Sequence, residues 1–503
     1  MKKIFNLCFL ALLFTMINSC EKGFDELNKS KTSPTEIDPA FILNRATINS
    51  SISTLIYEIA IVQQIVSPFS GVLSGANYNQ DNRASTDDNW QSLYRNVIKD
   101  TKDIIYRTKN DPARSNMLNM ARILQANAFM ILTDTYGDIP YTNGGEGYYS
   151  QVFFPVYESQ ESIYANIITE LTDASAALDA AGKIETADIL YGGDVAKWKK
   201  FGYSLLLRAG MRLSKVNPTQ AQAVVNTAVQ GGVITSNADN AMVRHDSNYK
   251  NPISNTLNST EAANYYLTKP FVDQLKSTND PRLSAIAIRY KGATSGTTQL
   301  PEKGTTLAAD QIGMPMGKDN GTIVAAATAD GLASLYEYSQ ADRRRIAKLT
   351  APMFLVTAGQ TNLLLAEASF RGWISGTTAA QYFTEGVKAS LDQMAIYDAA
   401  TAIAAADRDA YLAAHPLTAG TELEQINRQY WISSFLNGPE AFANFRRSGF
   451  PTLTPNPYPG KEVDFINRLT YPNSEISVNS ENVNAAIARQ GPDNLATKVW
   501  WDK

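Results

Sequence analysis

The sequence predicts a mainly helical, all-α protein in which paired helices form a scaffold, with long irregular loops and minor β-hairpins built over it. Three observations carry this prediction. Apolar residues recur at spacings of three and four in both halves of the chain, small residues stand where two such helices would cross, and the centre of the chain loses the period. A period of 3.6 buries one stripe of a helix, so each periodic segment needs a partner.

The chain opens with Lys2 and Lys3, an apolar run over residues 4–16, then Ile17, Asn18, Ser19 and Cys20, and an acidic, polar stretch to Glu26. A positive start, a short apolar run and a small residue before a cysteine describe an export signal too short to span a membrane. The pattern resembles a bacterial lipoprotein signal, in which residues 1–19 are removed and Cys20 is diacylated as the new N-terminus. Acyl chains contribute about 0.8 kcal/mol per buried methylene, so several chains anchor stably. The alternative is an ordinary secretory peptide with an unmodified cysteine.

Helical periodicity follows over 39–66, 90–107, 116–136, 159–181, 194–213 and 219–230. It resumes over 361–372, 379–394, 404–414 and 422–435, with a last short helix over 481–490. Residues Met117, Met120, Leu124, Ala128, Ile131 and Leu132 illustrate the stripe. The small residues Ala121, Ala126 and Ala128, and Ala366, Ala368 and Gly372, suit close helix pairs in the manner of degenerate tetratricopeptide-like hairpins. Between them, residues 237–357 are rich in Gly, Ser, Thr, Asn and Tyr, a composition for functional loops rather than a linker. The expected organisation is a single domain over 20–503, its scaffold at 38–236 and 358–503 and its ligand-side loops at 237–357.

Composition narrows the function. With 45 Lys and Arg against 49 Asp and Glu the formal charge is −4, which gives no electrostatic footprint for nucleic acid. The two cysteines are Cys8, inside the signal, and Cys20, so no disulfide, catalytic thiol or cysteine zinc site is expected. The two histidines, His245 and His415, stand alone beside loop formers, against histidine-based catalysis or metal binding. The 24 Tyr, 19 Phe and 6 Trp suit recognition of sugars or amphipathic ligands by ring faces and polar edges.

Four segments then combine. Ala121 to Ala126 leads into Thr133-Asp134-Thr135-Tyr136-Gly137-Asp138-Ile139-Pro140-Tyr141. Asn362 to Ala368 is followed by Gly372-Trp373 and by residues 382–390. Phe445-Arg446-Arg447-Ser448-Gly449 precedes a proline-rich turn. Arg468-Leu469-Thr470-Tyr471-Pro472-Asn473-Ser474-Glu475 is followed by Asn479, Asn482-Val483 and the terminal Trp500-Trp501-Asp502. Their order and spacing after such a signal resemble the SusD/RagB family of nutrient-binding outer-membrane lipoproteins, in its SusD-like branch, over nearly the whole mature chain. The resemblance implies a lipid-anchored outer-membrane protein facing outward, of a Bacteroidetes-type bacterium. It further implies capture of oligosaccharides or peptides, and a TonB-dependent SusC-like transporter to which the ligand is passed.

Within these motifs Gly137 and Pro140 read as a helix terminus, and Arg446 and Arg447 as cations at a helix C-terminal end. Ligand contacts are expected from loops. Tyr78, Asn79, Asn82 and Arg83 combine a ring with amide and guanidinium groups, while Tyr249, Tyr336 and Tyr338 lie in or at the end of the central loops. No catalytic constellation, cofactor motif or metal-ligand spacing is present. Two alternatives stand beside the binding role: a lipidated glycoside hydrolase with a carboxylate pair, and a structural lipoprotein that binds only protein.

Overall fold

The computed structural model describes residues 37–53, 57–259 and 262–503. The export signal and Cys20 lie outside the described residues. Helices of nine residues or more are α1 (Pro39–Asn49), α2 (Lys99–Thr108), α3 (Ser115–Tyr136), α4 (Gln160–Ala177), α5 (Val195–Arg212), α6 (Pro218–Gly231) and α7 (Lys269–Ser277). They continue with α8 (Ala358–Phe370), α9 (Ala379–Asp392), α10 (Ala405–Ala414), α11 (Glu422–Ser433), α12 (Gly438–Ser448) and α13 (Ser480–Gln490).

Local chemistry explains where they begin. Ser159, Asp194 and Asn217 accept from the backbone N–H of Ser162, Lys197 and Gln220, each satisfying an otherwise orphaned donor. Thr357 with Gln360, and Thr378 with Gln381, form reciprocal capping boxes before α8 and α9. Helix α3 stops at Gly137, whose φ of 83° suits glycine, and Pro140 lies beyond it. Helix α12 stops at Gly449, at φ 77°, with Arg446 and Arg447 in its last turn.

Sequence neighbours pack as hairpins: α3 on α4, α5 on α6, α8 on α9 and α11 on α12, with α1 against α2 and α8 against α11. Gly372, expected at a helix crossing, instead lies beyond the end of α8 at φ 71° with open space around its Cα, and the close approach is made by Gly359 and Gly386. A Cβ on Gly386 would meet Leu363 Cγ at 2.8 Å, and one on Gly359 would meet the Gly386 carbonyl at 3.3 Å.

The structure also differs from expectation in two segments of the chain. The helix predicted over 39–66 ends at Asn49. After a one-turn helix (Glu58–Ile61) the chain turns at Gln63, φ 53°, and enters β1 (Ile65–Val66). The predicted loops of 237–357 contain α7, with Thr268 as its cap and Phe271, Val272 and Leu275 buried. The remaining strands are β2 (Ile139–Pro140), β3 (Tyr157–Glu158), β4 (Ala241–Val243), β5 (Tyr266–Leu267), β6 (Ala287–Tyr290), β7 (Gly304–Thr305), β8 (Gln340–Ala341) and β9 (Met353–Val356). All pair antiparallel, as β1–β5, β2–β3, β4–β9 and the three-stranded β7–β6–β8.

One hydrophobic core runs through the scaffold from Ala40 to Trp501. A smaller cluster of Val66, Tyr266, Met314, Met316, Ile323, Leu335 and Tyr338 lies under the central loops. Buried ion pairs cross the main core. Arg447 grips Glu367 through both terminal guanidinium nitrogens, at 2.8 and 2.7 Å, while Arg212 joins Asp134 at 3.2 Å to Glu440 at 2.7 Å. Trp501 donates to Asp134 at 2.8 Å and fastens the C-terminus to α3.

Candidate ligand site

Three loops meet where Asn77 and Asn456 lie buried. The Asn77 side chain donates to the carbonyls of Ser67 at 2.9 Å and Lys318 at 2.8 Å, and accepts from the Gly317 N–H at 2.7 Å. Asn456 donates to the Asn77 carbonyl and accepts from the Tyr458 N–H at 2.9 Å. Gly317 is needed here, because its φ is 73° and a Cβ would meet Asn456 Oδ1 at 2.6 Å. These bonds join residues 67–86, 313–321 and 451–460 into one rigid rim.

On that rim Tyr78 and Tyr458 stack face to face, ring centroids 3.6 Å apart and planes 5° from parallel. Both rings keep part of their surface open to solvent. The Tyr78 hydroxyl pairs with the Asp319 carboxylate, and partial burial with that neighbouring charge raises its pKa. Asp319 is held below the usual carboxylate range, first by the Thr322 N–H at 2.7 Å and then by the Thr322 hydroxyl.

Lys318 and Pro457, the neighbours of Asp319 and Tyr458, also line a groove of about 590 Å³. Its other walls come from the start of α7 and the proline-rich segment 451–457, with Trp431 of α11 among the lining residues. Lys269, Gln274 and Gln63 supply polar groups. Lys269 is paired with Asp273 at 2.7 Å, and Gln63 donates to the Thr454 carbonyl at 2.9 Å. An aromatic platform flanked by amides and an ammonium is an arrangement for binding hydroxyl-rich ligands.

Of the residues expected from sequence, Tyr78 stands in this platform. Asn79, buried at φ 51°, donates to the carbonyls of Val463 at 3.2 Å and Asp464 at 2.8 Å. Asn82 donates to Ser74 Oγ at 2.9 Å, and Arg83 pairs with Asp493 at 2.6 Å. All three therefore hold the loop that presents Tyr78. Tyr338 is fully buried, its hydroxyl donating to Asp330 at 2.8 Å, and Tyr336 packs partly buried beside it. Both support the loops from beneath. Tyr249 is exposed on a separate turn, where its carbonyl meets His245 Nδ1 at 2.9 Å.

Sequence reasoning missed Tyr458, Asn456 and Lys318. The signal for Tyr458 was present, since one aromatic ring stands in the run Pro455-Asn456-Pro457-Tyr458-Pro459. Among the described residues no group of three His, Cys, Asp or Glu side chains is arranged to hold a metal ion, and no helix is long and apolar enough to cross a membrane.

The family model described as "Starch-binding associating with outer membrane", SusD-like, matches residues 31–472. A solved chitin-binding protein is 31% identical, covering 92% of this chain and 100% of its own with a TM-score of 0.82. A chitin-binding SusD homologue from Flavobacterium johnsoniae is 25% identical, covering 92% and 99% at a TM-score of 0.73. A SusD homologue from Bacteroides uniformis, 24% identical over 92% and 98%, shares the fold at 0.73. No curated protein matches the chain. The helical scaffold with few small sheets is thus the SusD-like one, and the role is binding rather than enzymatic catalysis. From residues 31 to 472 and across nearly the whole fold, the chain belongs to the SusD-like family, whose members are described as starch-binding and associated with the outer membrane.

Proposed function

We propose that this protein is a lipid-anchored glycan receptor of the cell surface, which captures oligosaccharides and passes them to a TonB-dependent SusC-like transporter. The observation that carries the capture step is the Tyr78–Tyr458 stack beside a groove lined by Lys318, Gln274 and Trp431. A sugar ring presents an apolar face and a belt of hydroxyls, and this rim offers rings, amides and an ammonium together. The solved chitin-binding relatives support a glycan over a peptide.

The transporter contact is supported by a second surface. Phe41, Tyr148 and Phe153 are 63, 81 and 65% exposed, with Phe154 and Val156 also open to solvent. An apolar surface of this kind marks a partner site. The described chain begins at Ile37, which lines the same concavity as Phe41 and Tyr148. A lipid anchor on Cys20 would keep the protein at the membrane, where an outer-membrane barrel could meet this face.

Depletion from solution by insoluble chitin, starch and cellulose, with reducing ends assayed in the supernatant, tests the receptor role. Retention by one polymer without new reducing ends is the expected result. Retention by none, or reducing ends that accumulate with the purified protein, would overturn it.

A further inference from the structure

A second concavity of about 590 Å³ opens on the scaffold between α2, α3, α4 and the loop 141–150. No residue that lines it also lines the groove beside Tyr78. Its volume lies in the range of roughly 300–1,000 Å³ usual for small-ligand sites.

The lining is built from aromatic rings and fixed ion pairs. The rings of Phe129 and Tyr141 lie 4.5 Å apart and tilted by 51°. Lys102 pairs with Glu146 at 3.0 Å, and Arg122 pairs with Glu170 at 2.8 Å. Among the described residues the Tyr141 hydroxyl has no hydrogen-bond partner, although burial raises its pKa well above that of a free phenol. Tyr141 is only partly buried, so this hydroxyl meets the open groove, where a bound acceptor would take the place of water.

We propose that this groove is a second glycan-binding site, taking a short stretch of a neutral sugar chain with a ring hydroxyl on Tyr141. The inference rests on the glycan reading above. Within the Lys102–Glu146 and Arg122–Glu170 pairs the charges are mutually neutralised, while Lys109, with no carboxylate partner among the described residues, lies over the Tyr106 ring at 4.2 Å and leaves one cation in the lining. The remaining lone pairs and N–H groups of Glu170 and Arg122 are nonetheless fixed in place for hydroxyls. Two sites on one rigid scaffold would let a long polymer bind more tightly than either site alone, through effective concentration.

Titration calorimetry of the full mature protein in detergent, with three- and eight-residue oligomers of N-acetylglucosamine and of glucose, tests this. The trimer of one series should fill two sites. Tyr141→Phe, which keeps the ring and its packing, and Arg122→Ala should each leave one, as should the double change of Tyr78 and Tyr458 to Ala. A stoichiometry of one that Tyr141→Phe and Arg122→Ala leave unchanged overturns the second site and spares the first. No binding of any oligomer overturns both. Saturation of the groove by the tripeptide Lys-Ala-Glu, with loss on Arg122→Ala and no effect of sugars there, overturns the ligand class.

Discussion

Glu58 is fully buried, and that burial raises its carboxyl to about 7, opposed in part by the hydrogen bond from Asn89 at 2.8 Å. The native state thus binds this proton more tightly than the unfolded chain, whose value is near the ordinary 4.5. The contribution is fully present below about 4.5 and is lost as pH rises through 7. Glu58→Gln keeps an acceptor for Asn89, so it should flatten this part of the stability profile and stabilise the protein at pH 8 by about 3 kcal/mol. Urea unfolding at pH 5 and pH 8 measures the difference, and an unchanged slope contradicts the assignment. Glu367 behaves in the opposite sense. Burial would raise it, but Arg447, with Arg371 beside it, more than offsets this and holds it at about 2. Its stabilisation is present above the unfolded value of 4.5 and disappears as pH falls towards 2. Arg447→Met leaves that carboxylate buried without its main partner and should cost about 3–5 kcal/mol at neutral pH. A midpoint within experimental error of the unaltered protein would refute it.

Helix crossings make demands that side-chain lists do not convey. Gly386 faces the Leu363 side chain and backbone where α9 crosses α8, whereas Gly372 meets open space at φ 71°. Gly386→Val should therefore destabilise by overpacking, by about 1–3 kcal/mol. Gly372→Ala should cost about 1 kcal/mol through backbone strain alone. Denaturant midpoints for the two variants separate crowding from conformation, and equal small losses would remove the crowding argument. The long helices were legible because their apolar period and their caps at Ser159, Asp194, Asn217, Thr357 and Thr378 agree. Helix α7 was not, since nine residues among loop formers give too short a period to stand out. The end of α1 was hidden for a different reason. Ile65 and Val66 continue an apolar run that reads as helix until β5 pairs with it, and that pairing comes from a distant part of the chain.

The same distinction governs the site. Tyr78 was visible as a ring among amides in a loop, but its partner Tyr458 comes from the other end of the sequence, and only tertiary packing stacks them. Asn79, Asn82 and Arg83 have the chemistry of ligand residues, and their side-chain N–H groups bond to Val463, Asp464, Ser74 and Asp493. Residue type alone does not distinguish a group that binds a ligand from one that shapes a loop. The exposed face around Phe41, Tyr148 and Phe153 predicts that charged substitutions there weaken transporter association without altering ligand affinity at the Tyr78–Tyr458 platform. Changing Tyr148 and Phe153 to Glu together, followed by co-purification in mild detergent and an oligosaccharide titration, measures both; full retention of the barrel would contradict the docking role. The platform itself is tested most directly by a crystal structure of the mature protein with the oligosaccharide it retains. A sugar ring within van der Waals contact of the Tyr78–Tyr458 pair, with hydroxyls reaching Lys318 or Gln274, is the predicted result. A ligand bound elsewhere with that pair unoccupied would contradict the account.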